Sequence, residues 1–429
     1  MNYQNYKGTE DRFGEKLFYW KWLEKEIREI CRAFCFGEIK TPVFEYTEVF
    51  TRGVGETTDI VQKEMFTFSD RGGRSLTLKP ELTAGVARAY VQHGMRQLPQ
   101  PVKVFYIEPC FRAERPQKGR DIEFFQFGVE HLGSYEPSAE AEVMSVAFAL
   151  MKRLGISGVR LRVNSLGCPS CREKYNAALR EFIGRNIGGL CPVCRERFDR
   201  NALRVLDCKT PKCQDIIAGA PSALDVMEPD CREHFNGVLA ALGGLGIEYE
   251  TDPRLVRGLD YYTRTVFEFV PEGAGSQGTV CGGGRYDGLI SGYGGEPAGA
   301  VGFGMGMGRL LDVLAEQNLL PEYRPGIDIY VGSAGKAGAG KAAALAFQLR
   351  REGVSAEYDT LGRSVKAQMK YAGKLNAGYA LIIGGDEIAA GKAGLKNMAT
   401  GEETEIGLCA GEIKRLTHDI DSGRRESAD

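Results

Sequence analysis

Strand-like runs stop at about Gly167 and resume only after Gly246, and this gap constrains the fold more than any other feature of the chain. Before it stand MFTFSD, SLTLK, VKVFYIEPCF and EFFQFGVEHLG, short β-prone runs at the spacing of an antiparallel meander. Within it, CREKYNAALREFI and CREHFNGVLAAL repeat apolar residues at the helical period. After it, IEYETDPRLVRGLDYYTRTVFEFV reads as strand again, with Arg257 opening the run that carries Tyr261 and Tyr262. A sheet interrupted by a helical, Cys-rich insertion is the economical solution. Past the Pro-bearing NLLPEYRPG the texture changes once more, to strand (IDIYVGS), helix (GKAAALAFQLRREG), strand (SAEYD), helix (SVKAQMKYAGKLN) and strand (YALIIGG). The expected fold is α+β: a domain at 1–325 built on an antiparallel sheet, an insertion at 166–247 within it, and a separate α/β domain at 326–429.

With 429 residues, 43% hydrophobic and 26% charged, the chain has the composition of a soluble globular protein. No apolar run approaches the roughly 18 residues a membrane span needs, and MNYQNYKGTEDRFGEK has no signal core, so a cytoplasmic location is expected. A net charge of -2 gives no global basic field, and a nucleic-acid partner would have to be held by local patches and shape. The 12 cysteines suit metal binding better than an oxidised framework. Cys168-x-x-Cys171 with Cys191-x-x-Cys194 fits a four-thiolate structural zinc site, with Cys208 and Cys213 able to replace or supplement a ligand. Reduced structural cysteines are the alternative. His93, His131, His234 and His418 are not paired at ligand spacing, which leaves catalytic zinc and Ser-His or Cys-His hydrolysis unsupported.

Among local motifs, GKAGAGKA (335–342) approaches a phosphate-binding loop, but Ala342 stands where a hydroxyl would hold magnesium, and a Gly/Ala-rich helix start explains it better. CGGGRYDG and GAVGFGMGMGRL strip side chains from two strands and end on Arg285 and Arg309, cations suited to a polyphosphate or carboxylate. The densest polar constellation is FRAERPQKGRDIEFFQFGVE (111–130). Strand alternation puts Phe124, Gln126, Gly128 and Glu130 on one face, a floor for a polar ligand that stacks on an aromatic ring.

FRAERPQKGR…FQFGVE resembles motif 2 of class II aminoacyl-tRNA synthetases, and GAVGFGMGMGRL resembles motif 3. LTLKPELTAGVAR, RGLDYYTRTVFEF and CGGGRYDGL together resemble the signature segments of the histidyl-tRNA synthetase family, and the likeness runs from KGTEDRFGEK through a motif-1-like GEIKTPVFEY to an anticodon-binding-type last domain. The resemblance implies that histidine and ATP are converted to histidyl-adenylate and that the acyl group passes to tRNA(His), with magnesium bridging the phosphates. By the same resemblance Arg257 and Arg112 act at the α-phosphate, and Glu81 and Thr83 hold the α-amino group. Gln126, Glu130, Tyr261, Tyr262 and Tyr286 form the amino-acid pocket, and Glu114, Arg120, Phe124 and Arg309 bind ATP. Arg115, Gln117 and Lys118 face the tRNA acceptor end, and Arg363, Lys366 and Lys370 face the anticodon. A homodimer is implied as well.

Three positions depart from the family pattern: Ile122 stands for an arginine, Lys79 for the arginine before Pro-Glu, and Gly308 for a glutamate before Arg309. The rival reading is a non-catalytic, histidine-binding regulatory subunit of an ATP phosphoribosyltransferase, a branch that typically loses the arginine pattern and the last domain. Another class II synthetase is a third reading, opposed by RGLDYYT and GGGRYDG.

Overall fold

The computed structural model describes residues 3–56, 58–117, 120–206, 208, 210–272 and 279–421. The chain divides into two units, one formed by the residues up to Leu320 apart from Arg12–Leu23, the other by Arg12–Leu23 and the residues from Pro321 onward.

The first unit is built on β1 (Gly37–Glu38), β2 (Phe44–Tyr46), β3 (Thr67–Ser69), β4 (Ser75–Leu78), β5 (Val102–Phe111), β6 (Glu123–Leu132), β7 (Val159–Ser165), β8 (Glu250–Thr251), β9 (Thr263–Pro271), β10 (Cys281–Arg285) and β11 (Ala300–Gly306). Eight of them form one sheet in the order β1-β5-β6-β11-β10-β9-β7-β8, and β2-β4-β3 form a small sheet beside it. Pairing in the large sheet is antiparallel except at β1–β5 and β7–β8. Helices Pro137–Arg153 and Pro229–Gly244 cover one face. Apolar side chains at alternate positions of the central strands are sealed from water, with Phe127 and Phe303 edge to face at 5.3 Å.

Arg285 belongs to this helix-covered side, which overturns its expected role as a ligand cation. It is fully buried, ion-paired to Glu140 of helix Pro137–Arg153 and to Asp287 Oδ1 (3.0 Å), and it donates to the carbonyls of Ser134 (2.9 Å) and Glu136 (3.2 Å). The cause is a register shift between Gly284 and Arg285, after which the side chain turns toward the helix. Its five donors are absorbed by the protein.

Among the described residues of 169–244, four helices predominate, Pro169–Asn186, Pro192–Arg200, Pro211–Ile217 and Pro229–Gly244, with short 3-10 turns between them. Each of these helices opens on proline, whose missing N–H would have no partner in a first turn. Tyr175, Leu179, Leu203 and Val205 from this region share one core with Leu255, Val256 and Tyr262. The strand expected to begin at Arg257 begins instead at Thr263. Residues 257–262 are irregular because Gly258 interrupts the run and the Asp260 N–H is taken by the Val54 carbonyl (3.0 Å) rather than by a ladder.

In the second unit β12 (Ile329–Ser333), β13 (Ala356–Tyr358), β14 (Tyr379–Ile383), β15 (Lys392–Asn397) and β16 (Glu403–Gly407) lie in the order β13-β12-β14-β15-β16. The first three are parallel, and β15–β16 form an antiparallel hairpin. GKAGAGKA lies in the opening turns of helix Gly335–Arg351, as its composition implied.

Candidate active site

The face of the large sheet opposite those two helices carries a trough without side chains. Gly128, Gly304 and Gly282 sit in register across β6, β11 and β10, and Gly302 and Gly284 form the row beside them. The trough is filled from its sides, since a methyl group on Gly302 would strike the Glu130 carboxylate and one on Gly282 the Arg257 guanidinium. Glycine is required at Gly302, where a Cβ would also meet the Val129 carbonyl, whereas at Gly282 it leaves room for the Arg257 side chain to lie over the backbone.

One wall is a buried acid network. Glu81 precedes helix Thr83–Gln92 and accepts the N–H groups of Thr83 and Ala84, both at 2.9 Å, so that its charge sits at a helix N-terminus. Thr83 Oγ1 donates to Glu130 Oε1 (2.7 Å), Tyr106 donates to the same oxygen (3.0 Å), and Tyr286 donates to Oε2. Glu130 is completely buried. Burial pushes its carboxyl up to about 8, against the pull of the Tyr286, Thr83 and Tyr106 hydroxyls. Tyr261 packs at a tilt against Tyr262 (4.6 Å between centroids) and edge to face against Tyr286 (5.6 Å), closing the pocket with aromatic surface. Gln126 pairs with Gly306, its amide lies beside Gly304, and its Oε1 accepts from Cys110 Sγ at 3.6 Å.

The Glu130 proton carries a stability consequence. The unfolded carboxyl titrates near 4.5 and the folded one near 8, so between these values the native state holds a proton that the unfolded chain releases. Stability from this group is complete at low pH and lost as the pH rises toward about 8. The Tm of the ligand-free protein is therefore expected to fall between about pH 5 and 8, with a shallower slope in Glu130→Gln, measured by calorimetry across that range. Equal slopes would refute the assignment.

The other wall is cationic. Arg112 donates Nε–H to the Pro80 carbonyl (2.9 Å) and lies 5.1 Å over the Phe124 ring. Arg120 pairs with Glu114 at 2.9 Å, and Glu114 also faces Arg112 at 3.9 Å. Arg257 pairs with Glu268, whose second oxygen accepts from Thr279 Oγ1 (3.0 Å), and Arg309 donates to the Thr279 carbonyl (2.9 Å). Burial lowers the Arg309 pKa, and the positive charges of Arg120, Arg112 and Arg257 lower it further. Four guanidinium groups thus gather around few acids, a field that suits a polyanion.

Burial also lifts the Glu64 carboxyl, and the nearby Glu114 charge lifts it further. These two acids beside the arginines are hard oxygen donors of the kind magnesium takes.

Most of the residues singled out in the sequence converge on the trough: Glu81, Thr83, Gln126, Glu130, Tyr261, Tyr262 and Tyr286 at one side, and Arg112, Glu114, Arg120, Phe124, Arg257 and Arg309 at the other. Arg115 and Gln117 are exposed on the turn between β5 and β6, and Lys118 lies outside the described residues. In the second unit Arg363 is held by Asp359 (2.7 Å) over the Tyr371 ring, and Lys366 and Lys370 are exposed on helix Val365–Lys374.

The expected grouping of Cys168, Cys171, Cys191 and Cys194 is corrected. Cys191 and Cys194 meet Cys208 and Cys213, whereas Cys168 and Cys171 meet Cys231. Helix Pro169–Asn186 separates the two C-x-x-C pairs by its own length. At 1.5 Å per residue that is about 27 Å.

The departures are also placed. Lys79 is buried and ion-paired to Glu108 (2.6 Å), Ile122 packs against Gly8, and Gly308 is exposed with open space around it. Glu268, Thr279, Tyr106 and Glu64 were missed. An acid in the apolar run TVFEFV and a phenol in VKVFYIEPCF were the available signals for Glu268 and Tyr106.

A family model described as histidyl-tRNA synthetase matches residues 8–310, and one described as an anticodon binding domain matches 328–410. The chain is 51% identical over 403 residues to the histidine–tRNA ligase of Acetivibrio thermocellus, covering 94% of this chain and 96% of that one. It is 47% identical over 417 residues to that of Clostridium perfringens, covering 97% and 100%. The solved structure of apo S. aureus histidyl-tRNA synthetase superposes with a TM-score of 0.80 at 34% identity, covering 97% of this chain and all of that one. On the matched segments, their order and the near-complete coverage of full-length relatives, the chain belongs to the histidyl-tRNA synthetase family.

Proposed function

We infer that the protein is a histidine–tRNA ligase, which joins histidine to ATP with release of diphosphate and then transfers the histidyl group from the adenylate to the 3′-terminal ribose of tRNA(His). The observation that carries this reading is the trough itself, with a buried carboxylate and phenols at one side and four arginines at the other. The two substrates of adenylate formation have this polarity. The Glu130 carboxylate accepts an imidazole N–H, and a competitor without that donor forgoes this hydrogen bond and leaves Glu130 with its Thr83, Tyr106 and Tyr286 partners alone. Glu81 and Thr83 hold the α-amino group, and the pocket is completed by Gln126, Tyr261, Tyr262 and Tyr286. Attack of the histidine carboxylate on the α-phosphorus builds negative charge, which Arg257 and Arg112 neutralise, so no side-chain nucleophile is needed. Arg120, Arg309, Phe124 and Glu114 seat the rest of ATP. Magnesium neutralises the phosphates when bound, and Glu114 with Glu64 would hold it.

In this reading the domain at 1–325 with its insertion at 166–247 carries the chemistry, and the domain at 326–429 binds the anticodon through Arg363, Lys366 and Lys370. Arg115, Gln117 and Lys118 meet the acceptor end. The regulatory-subunit alternative is not favoured, because Arg112, Arg120, Arg257 and Arg309 are all present and so is the match to the anticodon-binding model. No helix among the described residues is long and apolar enough to cross a membrane, and the reaction consumes ATP and tRNA, so we place the enzyme in the cytoplasm. Charging of tRNA(His) with labelled histidine tests the whole reading, and charging with another amino acid instead would overturn it.

A homodimer is also proposed. Val43, Phe44, Tyr46 and Phe68 are exposed on or beside the small sheet, with the rings of Phe44 and Phe68 6.1 Å apart, an apolar patch that a second copy would cover. Phe44→Glu and Phe68→Glu are each expected to weaken the dimer by about 30-fold or more. Analytical ultracentrifugation would show this as a shift to monomer, and an unchanged dimer would contradict the assignment.

A further inference from the structure

Seven cysteines of the helical insertion form two clusters, and one of them has the geometry of a closed metal site. Cys191, Cys194, Cys208 and Cys213 bring their four sulfurs within 4.8 Å of one another, and all four are free thiols. Cys191 and Cys208 are 3.9 Å apart. A tetrahedral zinc with bonds of about 2.3 Å holds its sulfurs about 3.8 Å apart, which is the edge these side chains already span. The Cys191 N–H donates to Cys213 Sγ at 3.2 Å, a contact that stabilises a thiolate and fixes its direction. Arg195 ties the chain just before Cys191 by donating to the carbonyls of Leu190 and Gly188, each at 3.0 Å. The other cluster, Cys168, Cys171 and Cys231, has three sulfurs, and its neighbour Glu228 is already engaged by Ser170 (2.7 Å) and Lys174 (3.0 Å).

The four-sulfur cluster brackets the segment that touches the catalytic loop. Between Cys194 and Cys208 run the end of helix Pro192–Arg200 and the turn Ala202–Val205. From that turn Arg204 donates to the Arg257 carbonyl (3.3 Å) and faces Asp59 (3.3 Å), while Asn201 donates to Asp260 (3.2 Å). Arg197 braces the same turn through the Arg204 carbonyl (3.3 Å) and pairs with Asp59 (3.2 Å). Cys194, Cys208 and Cys213 also lie in the core that holds Leu255, Val256 and Tyr262.

We propose that Cys191, Cys194, Cys208 and Cys213 bind one structural zinc ion, and that this ion clamps the Ala202–Val205 turn against the backbone of Arg257, so that Arg204 acts as a positioning residue for the catalytic arginine. Binding releases the protons of those thiols still protonated and involves no redox step. Arg257 has to meet the α-phosphate within a fraction of an ångström, and the irregular stretch 257–262 has no strand ladder to fix it.

The test is metal analysis of the whole chain purified under reducing conditions. About one zinc per chain is expected at this site, lost in Cys208→Ser and Cys213→Ser and kept in Cys168→Ser and Cys171→Ser. Should the first pair fail to fold, cobalt exchange into the unaltered protein reads the ligand set directly. The charge-transfer bands and tetrahedral spectrum of four thiolates support the proposal, and a spectrum of fewer sulfurs overturns it. Folded protein without zinc, a disulfide among the four, or metal that depends on Cys168 and not on Cys208 also overturns it. Arg204→Gln leaves the thiols intact and is expected to keep the zinc while lowering kcat for histidine-dependent pyrophosphate exchange by about tenfold, with the KM for histidine little changed. An unaltered kcat would remove the link to Arg257.

Discussion

Arg257→Ala is expected to lower the rate of histidine-dependent pyrophosphate exchange by about 10³-fold while leaving the fold intact, the loss typical of removing one preorganised group that meets charge developing in a transition state. The expectation rests on position. Arg257 lies over Gly282 in the trough, so its guanidinium is delivered to the sheet face rather than to solvent, and its partner Glu268 fixes the direction of the fork. Lysine is a poor replacement because it loses the planar fork, and Arg257→Lys is expected to recover only a small part of the rate. Loss of Arg257 deprives the part-buried Glu268 of its ion pair while the Thr279 hydrogen bond stays, so some destabilisation is expected too. Stability measured beside activity separates the two effects. Exchange that survives the substitution would remove Arg257 from the reaction.

Measured above about pH 8, where Glu130 has released its proton, Glu130→Gln should raise the KM for histidine by about 100-fold and leave that for ATP within about threefold, since a hydrogen bond to a charged acceptor contributes about 1.5–3 kcal/mol. The substitution keeps the shape of a completely buried side chain, and the hydroxyls of Thr83, Tyr106 and Tyr286 can rotate to meet an amide. The cost therefore falls on the ligand rather than on the fold. Equal loss for both substrates would mean that the pocket had collapsed. An unchanged histidine KM would mean that another group reads the imidazole.

Much of this was legible in the sequence, for physical reasons that differ from place to place. Strand alternation alone put Gln126 and Glu130 on one face, because the side-chain period of two leaves no other arrangement. The Gly-rich runs told that something lies close to the backbone, although not that it would be Glu130 and Arg257. Arg285 misled because a cation ending a glycine run looks like a ligand group, and only the register shift beside it sends the side chain to Glu140. The cysteine pairing misled for a similar reason. Spacing along the chain matched a four-thiolate site, while the length of the intervening helix, set by its own hydrogen bonding, kept the two pairs apart. Tyr106 and Glu268 were hidden among apolar neighbours, and the β15–β16 hairpin was missed because lysines and small residues give it little strand signature.

The most direct test of the central claim is pyrophosphate–ATP exchange on the purified chain with each amino acid in turn. Exchange with histidine alone is the predicted result, because the trough pairs a buried carboxylate with an imidazole donor and four arginines with the phosphates. Histidine that binds without supporting exchange, or exchange driven by a different amino acid, would contradict it.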